Sequence, residues 1–145
     1  MQGRSPALFR VISTDYPSFL SVLFPIVFGG FSLYFFFAGN DALRLFLPLT
    51  IGTALVGVPV LVQRYRTISS VFAKGTQTSG VVTGISFFRG RGRVEYSYIF
   101  QGEKQVSGNA INKNSRTRKL RIGQAVTVIV DSSNSKRAFI QDIYL

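Results

Sequence analysis

The densest chemistry-bearing segment of the chain runs from Asn112 to Arg121. Lys113, Arg116, Arg118, Lys119 and Arg121 fall within these ten residues, with no acid among them. Lysine and arginine at neutral pH are donors and point charges, so the segment suits contact with anions rather than acid–base work. As a surface loop it is first of all solvated. Its next use is contact with anionic lipid headgroups or a protein partner; near a charged bilayer each such residue contributes about 1 kcal/mol. Nucleic acid ranks last. The stacking aromatics of an RNA reader would have to be Tyr96, Tyr98 and Phe100, and one face of that strand must build a core. Arg89-Gly90-Arg91-Gly92-Arg93 reads as a hairpin turn between strands rather than as an RNA-binding tract.

No catalytic set stands out. The chain has neither His nor Cys, which removes the commonest general base, the commonest metal ligand and all thiol chemistry. Glu95, Glu103, Asp131 and Asp142 show no paired or metal-ligand spacing, and Asp131 before Ser132-Ser133 reads as a turn cap. There is no G-x-G-x-x-G fingerprint and no phosphate-binding loop. The expectation is a protein that is not an enzyme, with no catalytic residues, no cofactor, no metal and no small-molecule substrate.

The elements that must position the basic segment are of two kinds. Mean hydropathy is +0.26, and the apolar residues concentrate between Tyr16 and Val62, interrupted only by Asp41 and Arg44. Pro17 to Ala38 is 22 residues without a charge. As a helix it rises about 33 Å, enough for a hydrocarbon core of about 30 Å. Gly39 to Arg44 makes a short polar turn, and Leu45 to Val62 supplies 18 more uncharged residues. The chain therefore folds back as an antiparallel transmembrane hairpin. Pro48 suits the first turn of the second helix, whereas Pro25 and Pro59 favour kinks. No ionisable residue falls inside either span, which argues against an ion pathway.

Small residues recur at steps of three and four: Ser18, Ser21, Pro25, Gly29 and Ser32 on the first helix, and Thr50, Thr53 and Gly57 on the second. Such stripes let helix backbones approach closely. Ser21, Gly29, Thr53 and Gly57 are thus the candidate packing residues, for the hairpin itself in the first place and for a partner helix in the second. The bulky face of Phe19, Leu23, Tyr34 and Phe35 to Phe37 suits lipid or a larger partner.

Three segments follow. Residues 1–16 form an N-terminal tail or a short interfacial helix with Leu8, Val11 and Ile12 on one face. Residues 17–66 form the hairpin, and residues 69–145 a small β domain. In that domain Val81, Thr83, Ile85 and Phe87 alternate, then Val94, Tyr96, Tyr98 and Phe100. Gln105 to Ile111 is a weaker strand; Val126, Val128 and Val130 alternate, and Ala138 to Ile143 closes the set. Five short antiparallel strands imply a small, partly open barrel of the OB or SH3-like kind. The fold class is a transmembrane α-hairpin followed by an all-β barrel.

The order of parts resembles a family of bacterial membrane proteins known only as a domain of unknown function, DUF 3592. The residues that carry the resemblance are Ala73, Gly75, Thr78, Gly80 and Val81, then Tyr96, Tyr98, Phe100 and Gly102, then Gly123, Val126, Val128, Asp131 and Asn134. Val130 stands where that pattern has Tyr, and Ser132 and Ser135 where it has Pro, which implies a looser final turn. The resemblance implies the hairpin-plus-β-domain fold and says nothing about chemistry.

Two functions fit: an accessory subunit of a larger membrane complex, docking on other integral membrane proteins, or a stand-alone anchored module that binds anionic lipid or nucleic acid. Arg4 and Arg10 precede the first span and Arg64 and Arg66 follow the second. Basic flanks stay cytoplasmic, so both termini and the β domain are expected on the cytoplasmic side of a bacterial inner membrane. A reporter fused after Leu145 should be active only when it is of the cytoplasmic type. Alkaline phosphatase activity from the same fusion point would reverse the orientation.

Overall fold

The computed structural model describes residues 5–145; Arg4, one of the flanking charges, lies outside them. Three helices come first: α1 (Leu8–Thr14), α2 (Tyr16–Phe37) and α3 (Leu43–Lys74). Five strands follow, β1 (Thr76–Phe88), β2 (Arg91–Phe100), β3 (Glu103–Asn112), β4 (Ala125–Asp131) and β5 (Asn134–Ile140), and the chain closes on α4 (Gln141–Tyr144).

Helices α2 and α3 are long and apolar enough to cross a membrane, and only 6% of the most apolar window of each is buried. They form the expected hairpin. Gly39 takes φ +61 at the turn, where Asn40 Oδ1 accepts the Ala42 amide at 2.8 Å. The helices interlock at Gly57, where an added Cβ would lie 2.3 Å from Ser21 O. Pro25 sits one helical turn beyond Ser21 and lacks the amide that would otherwise bond to that carbonyl. A proline frees the oxygen, and a glycine on the other helix lets the backbone come down onto it. Further along, Ser32 and Thr50 hydroxyls hydrogen-bond at 2.9 Å, and Phe28, Phe31 and Phe35 gather around Phe46 near the turn.

The strands make one antiparallel sheet in the order β3-β2-β1-β4-β5. β3 and β5 lie at its ends and are joined by side chains instead of a ladder. Ser107 Oγ donates to Lys136 O at 3.2 Å, Asn109 Nδ2 to Ala138 O at 3.3 Å, and Tyr96 OH to Ala138 O at 2.6 Å. The sheet is therefore a nearly closed five-stranded barrel, as the strand patterning implied. Burial raises the pKa of the Tyr96 hydroxyl far above its ordinary value, so it stays a donor here. At the β4–β5 turn Asp131 accepts the Ser133 hydroxyl and amide, which holds its carboxyl below the usual carboxylate range.

Several sequence expectations differ from what is observed; Pro48, for one, stands in the second turn of α3 rather than its first. First, Val81, Thr83, Ile85 and Phe87 do not share one face. A bulge between Val82 and Gly84 shifts the register, so Val82 is fully buried while Val81 and Thr83 face out. Second, β5 spans Asn134–Ile140, and Gln141 onward turns into α4 rather than extending the strand. Third, the helix of the second span does not stop near Arg66. α3 continues to Lys74, and Ile68, Val71 and Phe72 enter the barrel core together with Val11 of α1. The β domain is completed by residues from the helical segments.

The Gly57 contact makes a direct test. Gly57→Leu should lower the stability of the purified protein in detergent by about 1–3 kcal/mol, the usual cost of overpacking. Gly30→Leu, at a position where an added Cβ meets nothing within 4 Å, should leave the melting temperature unchanged.

Candidate functional site

Where the hairpin meets the barrel, the chemistry centres on Asp15, which is fully buried. It sits between α1 and α2, and its carboxylate caps α2 by accepting the Ser18 amide at 3.0 Å and the Ser18 hydroxyl at 2.6 Å. The remaining capacity is taken by Arg64 of α3. The Arg64 Nε donates to Oδ2 at 3.2 Å, and its Nη2 donates to Oδ1 in a second, shorter contact. This is a two-pronged pair of the kind arginine alone makes. The Asp15 backbone also bridges to Ile111 on β3. One residue thus touches both long helices and the barrel.

Neighbouring contacts reinforce the joint. Thr14 Oγ1 donates to Ile143 O at 3.2 Å. Asn112 Nδ2 donates to Ile12 O and Ser13 O, and Asn114 Nδ2 to Ser13 O at 3.1 Å. Tyr144 packs edge-on to Phe72 and Phe139. Burial, and next the Asp15 charge, push the Tyr144 hydroxyl well above its ordinary pKa.

Beside this joint lies a groove of about 640 Å³ between the first turns of α2 and the β1–β2 hairpin. Its floor is Tyr16, Phe19, Leu20 and Leu23; its outer wall is the hairpin tip, Phe88 to Arg91, with Lys113 alongside. Phe88 is 62% exposed. The guanidinium groups of Arg89 and Arg91 lie 5.3 and 5.8 Å from its ring centre, and Lys113 Nζ lies 5.7 Å from that of Phe87.

The five basic residues of the Asn112–Arg121 segment do not all line this groove. Lys113 lines the groove with Arg89 and Arg91; Arg116, Arg118, Lys119 and Arg121 do not. Arg118 and Lys119 sit in a short 3-10 turn, Thr117–Lys119, flanked by Arg116 and Arg121 and built on buried Thr117, whose hydroxyl donates to Asn112 O at 2.7 Å. Arg116 is half-buried, and Arg118, Lys119 and Arg121 are exposed.

Several of the small residues pack within the hairpin. Ser21 meets Gly57, and Gly29 faces Thr50 across ordinary van der Waals distance. Thr53 returns its hydroxyl to its own helix, to Leu49 O at 2.7 Å. Thr53 and Gly57 also border a shallow apolar groove of about 420 Å³ between the two helices, with Ser21, Gly52 and Pro25.

The Asp15–Arg64 pair went unread in the sequence. Asp15 three residues before Ser18, at the edge of an apolar run, carries an N-cap signature that marks the helix start. Nothing local marks Arg64, 49 residues away, as its partner. No protein family, curated protein or solved structure matches the chain.

Asp15→Ala should cost about 3–5 kcal/mol, because it leaves Arg64 without its counter-charge and α2 without its cap. Thermal unfolding in detergent measures this. A change below about 1 kcal/mol would mean that the pair does not hold the joint.

Proposed function

We propose that this chain is a non-catalytic integral membrane protein, an accessory subunit that docks on a larger membrane assembly. The observation that carries the reading is the second groove. One open side of the hairpin presents Ser21, Gly52, Thr53 and Gly57 beside each other. An added Cβ at Gly52 would meet nothing within 4 Å, so this glycine is not needed by the hairpin itself. Lipid tails give helices no hydrophobic drive to associate, so a floor of small residues is what lets a partner helix lie close. The joint at Asp15 supports the same reading, since it fixes the barrel to the hairpin and so presents both to a partner in one orientation. In this reading the hairpin spans a bacterial inner membrane. Arg10, Arg66 and the basic barrel then lie on the cytoplasmic side, in keeping with the retention of Lys and Arg there.

A mild-detergent purification read by mass spectrometry should recover a partner subunit at fixed stoichiometry. Gly52→Leu fills the groove without touching the hairpin contact, so it should release that partner while leaving the melting temperature of the isolated chain unchanged. A wild-type chain that elutes alone, stable and monomeric, would overturn the accessory-subunit reading.

A further inference from the structure

The groove between α2 and the β1–β2 hairpin is built by a specific path of the chain. α3 runs about 18 Å past Val62 before it ends at Lys74. β1 then turns back, and its 13 residues span up to about 43 Å. The hairpin tip therefore returns to the level of the first two turns of α2, where it meets Tyr16, Phe19, Leu20 and Leu23. Those residues belong to the apolar span itself, so in the membrane placement the tip reaches the headgroup layer.

The chemistry of the tip suits that layer. An exposed phenylalanine carries two guanidinium groups beside its ring. In water the Phe88 ring is poorly placed; at a bilayer interface its face meets acyl chains while the arginines stay at the level of phosphate. Among the described residues no acid lines the groove, and Lys113 adds a third positive charge on its rim. The wall is held by Asn112 and Asn114, which tie this loop to the end of α1.

We propose that this groove is a binding site for an anionic phospholipid, with an acyl chain along Phe19, Leu20 and Leu23 and the phosphate among Arg89, Arg91 and Lys113. The site rests on the membrane placement of the hairpin and not on a partner subunit, so the assay uses the isolated full-length protein. The exposed basic residues Arg118 and Lys119 lie outside it and act as an internal control.

The test is native mass spectrometry and thermal unfolding of delipidated protein titrated with phosphatidylglycerol, phosphatidylcholine or inorganic phosphate. Phosphatidylglycerol should remain bound at one site and raise the melting temperature; the other two should do neither. Arg89→Ala/Arg91→Ala/Lys113→Ala should weaken phosphatidylglycerol by about a hundredfold, while Arg118→Ala/Lys119→Ala leaves it unchanged. The triple variant alters only side chains on the groove rim, and its unliganded melting temperature checks that it folds. Equal binding of phosphatidylcholine would overturn the proposal, as would full binding by the triple variant. Stabilisation by inorganic phosphate equal to that by phosphatidylglycerol would also overturn it, because the site would then need no lipid.

Discussion

The structure depends on how one carboxylate is satisfied. Removing a charged carboxylate from water costs several kcal/mol unless donors surround it. Asp15 meets this demand with the Ser18 amide and hydroxyl and two nitrogens of Arg64. A negative charge at the N-cap of α2 also complements the helix dipole. Because these donors come from different elements, the carboxylate is satisfied only when α2 and α3 are both in place. Its backbone bridge to Ile111 adds the barrel to that condition. The ion pair thus contributes geometry as much as stability.

Neither half of the molecule is complete by itself. Five strands enclose a small core, and a domain of about 70 residues has little surface to bury. Here the deficit is filled by Val11, Ile68, Val71 and Phe72 from the helices. The seam between β3 and β5 is closed by Tyr96, Ser107 and Asn109 side chains, which act as latches where no ladder forms. The hairpin has its own economy of contacts: the carbonyl freed by Pro25 is covered by Gly57, so a helix-breaking residue becomes a packing site.

Much of the architecture was legible because it is written in periodicity. Two uncharged runs of helical length and five stretches with period two gave the hairpin and the barrel. What escaped was everything carried by long-range pairing. The bulge in β1 breaks the alternation at a point no local pattern reveals, and it buries Val82 in place of Val81. Arg64 and Arg66 looked like a helix end because charges usually close an apolar span; one of them is instead neutralised by Asp15, and α3 goes on for ten residues. The five basic residues of Asn112–Arg121 are neighbours in sequence, but only the fold shows that Lys113 lines one groove with Arg89 and Arg91 of another loop. The groove was invisible for the same reason: its floor and wall are some 70 residues apart in the chain.

The unbroken course of α3 has a mechanical meaning. A helix has a fixed phase, with each residue turning its successor by about 100°. Since the same helix packs on α2 at Gly57 and enters the barrel core at Ile68, the intervening length sets the compass bearing of the barrel about the hairpin axis. A flexible linker would let a domain swivel through many headings. Here the heading is encoded in a residue count, so the Phe88 tip always comes down on the same side of α2.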